Sequence, residues 1–262
     1  MTALLDIRGL SRHFGALRAV DDVSFAVARG EIVALIGPNG AGKSTCFSML
    51  MGELRPTGGQ ILLDGQDITR WPTRRIWRAG VGRTFQITAT YPSMRVVENV
   101  QVALMSHHRR SFALVPRARG LYRDRAMELL ATVGMAEQAA RPAAVLAYGD
   151  LKRLDLAMAL AHDPRLLLMD EPTAGMAPAE RAALMTLVSD IARDRGTAIL
   201  FTEHDMDAVF AHAERILVLD RGRLIAEGPP AAIQADRSVQ EVYLGSALED
   251  AAPAAAQREE TP

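Results

Sequence analysis

The chain of 262 residues holds a single cysteine, Cys46, and only two lysines, Lys43 and Lys152; every other strongly basic side chain is arginine. One cysteine excludes an intramolecular disulfide and leaves too few thiolates for a cysteine-built metal centre, as in a reducing cytosol. Cys46 reads as a small buried filler on a helix. Aromatic residues make up 5% of the chain against 49% hydrophobic residues in all, so the core is aliphatic, and the chain is long enough to bury a sizeable one. A formal net charge of -1 supplies no basic field, and nucleic acid is not expected as a partner. No stretch of about 18 apolar residues is present to span a bilayer. The segment from Met1 to Arg12 lacks the cationic flank and apolar run of a secretory signal. Any work at a membrane must therefore pass through a protein partner.

What is present is an alternation of short apolar runs and helical patterns. Leu4–Ile7, Val23–Val27 and Ile32–Ile36 read as strands, the first two as an antiparallel flank. After a glycine-rich turn, Lys43–Leu50 reads as a helix, followed by strands at Gln60–Leu63 and Val81–Thr84. Val96–Ser106 and Leu121–Val133 have helical composition and are joined by the arginine-rich segment Arg109–Arg119. Leu151, Leu154, Met158 and Ala161 fall at helical spacing. Strand Arg165–Met169, helix Ala179–Arg193, strand Ala198–Phe201, helix Met206–His212 and strand Ile216–Leu219 continue an order expected of a parallel sheet with crossover helices. A hairpin through Asp220–Ala226 and a short helix at Val239–Leu244 complete the ordered part. From Ser246 onward the alanine, proline and charged composition predicts a disordered tail.

Gly37-Pro38-Asn39-Gly40-Ala41-Gly42-Lys43-Ser44-Thr45 fits the phosphate-loop pattern GxxxxGK[ST], with a buried strand before it and a helix after it. Glycines let consecutive backbone N–H groups face phosphate oxygens, and the helix N-terminus adds its positive dipole end. Lys43 supplies a compact cation to the terminal phosphates, and the Ser44 hydroxyl can ligate Mg²⁺. Downstream, the apolar run Leu166–Met169 delivers Asp170 and Glu171 to a strand end, where α/β sheets place ligands. Asp170 suits the metal; Glu171, expected on the opposite side by strand alternation, suits polarisation of an attacking water. His204, after another apolar strand, can reach the same sheet edge and contact a γ-phosphate.

Together the Walker A run Gly37–Ser44, the Walker B run Leu166–Asp170, Glu171 and His204 resemble an ABC ATPase, and the resemblance covers roughly residues 4 to 245. It implies a P-loop NTPase core at 1–85 and 146–245 with an antiparallel flank, and an inserted helical subdomain at about 86–145. It also implies that Phe14 stacks on adenine and that Gln86 is the Q-loop glutamine that touches magnesium and couples to a membrane subunit. Leu146-Ala147-Tyr148-Gly149-Asp150 takes the place of the LSGGQ signature that faces the partner's ATP. Ala147 lacks the signature serine's hydroxyl. Asp150 is expected to face outward, steadying the first turn of its helix, and Ala177 stands where the family has an aspartate. Arg83-Thr84-Phe85-Gln86, the arginine-rich insert, Glu203-His204-Asp205-Met206 and Val242-Tyr243-Leu244-Gly245 resemble the ATP-binding subunits of branched-chain amino-acid, amide and urea importers. Lipopolysaccharide-export ATPases share some of these features, and a soluble ABC-type assembly or regulatory ATPase is the reading from another class. The implied partners are permease subunits, a second ATPase subunit in a head-to-tail dimer and, indirectly, a solute-binding protein. The implied location is the cytoplasmic face of the membrane.

Overall fold

The computed structural model describes residues 3–84, 90–108 and 120–242. The chain opens with β1 (Ala3–Phe14) and β2 (Leu17–Ala28), a long antiparallel ribbon, before β3 (Ile32–Ile36) and α1 (Lys43–Leu50). β4 (Gly58–Leu63) and β5 (Gln66–Asp67) extend the ribbon into a four-stranded antiparallel sheet in the order β2-β1-β4-β5. After α2 (Thr73–Arg78) and β6 (Val81–Thr84) come α3 (Val96–His107), α4 (Arg123–Thr132) and α5 (Tyr148–Ala159). The remaining elements are β7 (Leu166–Asp170), α6 (Pro178–Arg195), β8 (Ala198–Thr202), α7 (Met206–His212), β9 (Arg215–Asp220), β10 (Arg223–Gly228) and α8 (Pro230–Ala235).

A six-stranded sheet in the order β10-β9-β3-β8-β7-β6 forms the centre; its strands run parallel except for the edge strand β10. Strand alternation divides its side chains between two cores. Val33, Leu35, Leu166, Leu168 and Leu200 pack with Phe47 and Met49 of α1 and with the antiparallel sheet. Ala34, Ile36, Leu167, Met169, Ile199 and Phe201 pack on the other face with residues of α3 to α7. Covering both faces is why these strands read as unbroken apolar runs. Phe47 and Phe201 are fully buried, and truncating either to alanine would cost about 3–5 kcal/mol.

β1 and β2 are longer than the apolar runs predict, because the ribbon continues past the exposed Arg8, Arg18 and Asp22, which break the hydrophobic pattern, with register shifts near Arg8 and Asp22. α2 and α8 escape the sequence reading for a related reason: each buries one side chain, Ile76 and Ile233. α4 begins at Arg123 rather than Leu121, since Tyr122 takes a left-handed conformation at its cap. Residues 237–242 are helical. The rest of the expected Val239–Leu244 helix, the segment Arg109–Arg119 and the predicted tail lie outside the described residues, as does Gln86.

Candidate nucleotide site

The parallel strands β3, β7 and β8 lie side by side, so the segments leaving their C-terminal ends meet. The first is the loop from Gly37 to Gly42, which joins β3 to α1. Gly42 caps the helix at φ 105, and a Cβ there would stand 2.3 Å from the Ala19 carbonyl oxygen, so only glycine closes this turn. Lys43 folds back beneath the loop: its Nζ donates to the carbonyl oxygens of Gly37 at 2.7 Å and Pro38 at 3.0 Å. Burial lowers the Lys43 pKa, with Glu171 and Asp170 opposing the shift electrostatically, so both carboxylates lie within range of the ammonium. Cys46, one turn on, is wholly buried, and burial pushes its thiol up to about 12. It is the filler the sequence suggests.

A cleft of about 620 Å³ opens over this loop, lined by Phe14, the run from Asn39 to Thr45, Glu171 and His204. Ser44 is exposed in it and Thr45 half-buried. Phe14 is half-exposed at the rim, with the Arg12 guanidinium 4.5 Å from its ring centroid. Four stretches far apart in sequence thus converge on one surface: Phe14, the glycine-rich loop, Glu171 and His204.

Asp170 ends β7 and Glu171 follows it at φ 47. Strand alternation therefore does not orient Glu171, as the sequence suggested; a left-handed turn does. Its backbone N–H is held by Thr202, through the carbonyl oxygen at 3.2 Å and the hydroxyl at 3.0 Å. That hydroxyl also donates to Asp170 Oδ1 at 2.8 Å. Arg83 of β6 approaches Asp170 Oδ2 at 3.6 Å while pairing more closely with Glu53 Oε2 at 2.7 Å. His204 Nε2 stands 2.9 Å from Glu171 Oε1. Glu203, the buried residue before His204, accepts from the Thr173 N–H at 2.8 Å and hydroxyl at 2.7 Å. Asp205 caps α7 and pairs with Arg181 of α6. Sequence reading missed Arg83, Thr202 and Glu203, whose roles depend on neighbours in other strands.

Ala147 is the cap residue of α5 and offers no side-chain acceptor; Tyr148 is the first helical residue. Tyr148 is half-exposed, with Lys152 Nζ 5.5 Å from its ring centroid. Gly149 is buried against Glu180 of α6, where a Cβ would meet the carboxyl carbon at 3.4 Å. Asp150 lies in the first turn, and its Oδ2 accepts from Gln138 Nε2 at 2.9 Å, which ties it to a neighbouring turn. Ala177 caps α6, followed by Pro178.

A glycine-rich loop and lysine at a helix start, facing paired carboxylates and a histidine across the ends of a parallel sheet, define a P-loop nucleoside triphosphatase. Comparison with known proteins narrows the class. The family profile described as ABC transporter matches residues 20–174, and a second, described as Branched-chain amino acid ATP-binding cassette transporter, matches residues 223–249. The high-affinity branched-chain amino acid transport ATP-binding protein LivG of Escherichia coli K12 is 40% identical, covering 93% of this chain and 98% of that protein. The lipopolysaccharide export system ATP-binding protein LptB of Haemophilus influenzae is 33% identical over the same shares. Among solved structures, the ADP conformation of an ATP-binding cassette of an ABC transporter superposes with a TM-score of 0.84 at 28% identity, covering 94% of this chain and all of that one. The chain belongs to the ABC transporter family, as an ATP-binding and ATP-hydrolysing subunit.

Proposed function

We propose that this chain powers uptake of branched-chain amino acids or similar small solutes, bound to permease subunits at the cytoplasmic face of the membrane. The observation that carries this reading is the 40% identity to LivG across nearly the whole length of both chains, against 33% and 35% for two LptB proteins. The match at 223–249 to the branched-chain amino-acid profile supports it from a separate part of the sequence.

In this reading, ATP enters the cleft with its adenine on Phe14 and its phosphates along Gly37–Thr45. The loop's N–H groups and the start of α1 face the phosphate oxygens, and Lys43, already held by two loop carbonyls, adds a fixed cation. Mg²⁺ fits the donor chemistry present, since the Ser44 hydroxyl and Asp170 carboxylate are the hard oxygen ligands it prefers; Gln86 is assigned beside them from sequence. Bound Mg²⁺ would neutralise charge developing on the phosphate oxygens. Glu171 acts as the base that polarises the attacking water, and His204, hydrogen-bonded to it, orients that carboxylate and reaches the γ-phosphate. A second ATPase subunit supplies its own signature segment to this cleft, while Ala147–Asp150 at the start of α5 faces the partner's nucleotide. The helical subdomain at about 86–145 carries the permease contact through the region Gln86–Arg95, a lever between the phosphates and the membrane partner.

Reconstitution with candidate membrane subunits and a solute-binding protein tests the reading. ATP-dependent uptake of leucine, isoleucine, valine or a related small solute into proteoliposomes is expected. Isolation with no membrane subunit, or ATP-driven lipopolysaccharide release, would replace it with one of the alternatives.

A further inference from the structure

We infer that Thr202 is a positioning residue that sets the placement of Asp170 and Glu171 relative to each other. The last residue of β8 lies in register with Asp170, the last residue of β7, and its side chain is completely buried. Its hydroxyl makes two hydrogen bonds whose directions chemistry fixes. An ionised carboxylate has no proton to give, so the hydroxyl donates to Asp170 Oδ1 at 2.8 Å. A backbone N–H can only donate, so the same oxygen accepts from Glu171 at 3.0 Å. A hydroxyl has one proton, and here it is committed to Asp170. A single buried oxygen atom therefore ties the carboxylate assigned to the metal to the backbone of the residue assigned to the water.

Two features make that tie consequential. Glu171 sits at φ 47, a conformation that is costly for a residue with a side chain and persists only where its surroundings hold it. Thr202 supplies both bonds that hold its N–H, from hydroxyl and carbonyl. Asp170 is also contested: Arg83 Nη2 stands 3.6 Å from Oδ2 on the side away from Thr202's contact with Oδ1. Without the hydroxyl, no other hydrogen bond among the described residues holds Oδ1 against rotation of the carboxylate into a closer pair with Arg83. An Asp170 held by arginine is a poorer partner for a cation. Removing the hydroxyl is thus expected to weaken Mg²⁺ binding and slow hydrolysis together, whereas a purely structural threonine would affect stability alone.

The inference rests on the roles given above to Asp170 and Glu171, and the experiment separates the two levels. Thr202→Val keeps the branched shape and removes the hydroxyl; Thr202→Ser keeps the hydroxyl. Binding of a fluorescent ATP analogue is measured at graded Mg²⁺ without turnover, alongside kcat and the melting temperature, with Asp170→Asn and Glu171→Gln as references. In T202V the Mg²⁺ concentration at half-effect should rise roughly 10- to 100-fold, the scale for losing a group that orients a metal ligand, and kcat should fall by a comparable factor. T202S should return both to within about threefold of the wild type. An unaltered Mg²⁺ response in a folded T202V protein overturns the inference, as does a T202S variant that melts normally yet is as impaired as T202V. If Asp170→Asn and Glu171→Gln respond to Mg²⁺ and turn over like the wild type, the underlying assignment fails, and Thr202's role falls with it.

Discussion

His204 Nε2 lies 2.9 Å from Glu171 Oε1, although 33 residues separate them in sequence. The histidine leaves β8 and the glutamate leaves β7, and the parallel register of those strands brings the two together. Glu171→Gln should bind Mg-ATP but hydrolyse it at least about 100-fold more slowly, since an amide cannot take a proton from water. It should accumulate as an ATP-bound dimer on gel filtration. His204→Ala should also slow turnover, by a smaller factor, because the carboxylate remains but loses its orienting partner. Rapid turnover of E171Q with no dimer would remove the base assignment.

Lys43 is the only lysine at the cleft, and its ammonium spends two of its three donors on the Gly37 and Pro38 carbonyls. Lys43→Ala deletes the cation and both loop contacts. ATP affinity by calorimetry should fall roughly 10- to 150-fold, the range for a hydrogen bond to a charged group, and turnover should vanish. Lys43→Arg should not rescue it, because a planar guanidinium does not fit where two converging carbonyls hold a compact ammonium. Near-normal binding and turnover in either variant contradicts the assignment.

Much of this site was legible from residue order because local rules dictate it. The glycine pattern before Lys43 is forced by backbone geometry, and β3, β7 and β8 show themselves as apolar runs because both faces are covered. α7 was found with its observed bounds, Met206–His212, where Asp205 caps its start. The parts that were not legible depend on register. Thr202 looks like the polar end of a strand until β7 is laid beside β8, and Glu203 looks solvent-facing until Thr173 is found donating to it twice. What orients Glu171 was misjudged, because a left-handed residue beyond the strand end follows no strand alternation.

His162 predicts how stability depends on pH. It is buried against Trp77, ring centroids 4.6 Å apart, and neither ring nitrogen makes a well-formed hydrogen bond among the described residues. Burial lowers its pKa to about 4, with the nearby Val81 backbone offsetting only part of the effect. His107, 6.1 Å away, is lowered too, again first by burial. An unfolded His162 would titrate near its ordinary value of about 6.5, so between there and pH 4 the unfolded state binds more protons. Stability is therefore complete above that window and falls as pH drops through it, by roughly 3 kcal/mol from this residue. Urea midpoints measured from pH 7 to pH 4 should show the loss, and His162→Phe should flatten the curve. An equally steep curve in that variant assigns the acid sensitivity elsewhere.

Ala147 carries the last prediction. A serine at this position would do two separable things. As the cap residue of α5 it would accept a hydrogen bond from a backbone N–H in the first turn, worth about 1 kcal/mol to the isolated subunit. In an ATP-bound dimer it would add a charge-assisted bond to the opposing γ-phosphate, worth about 1.5–3 kcal/mol where water is excluded and less at an open interface. Ala147→Ser should then raise the nucleotide-free melting temperature by about 2–4 °C. In a Glu171→Gln background it should also lower the ATP concentration needed for dimerisation, read by sedimentation. The second effect must exceed what the monomer's added stability explains, so the comparison is made far below the melting transition, where both variants are fully folded. If melting rises while the ATP dependence stays fixed, the hydroxyl serves only the helix. The start of α5 would then hold the partner's phosphate with backbone N–H groups alone, and the two sites of a mixed dimer would not differ on account of Ala147.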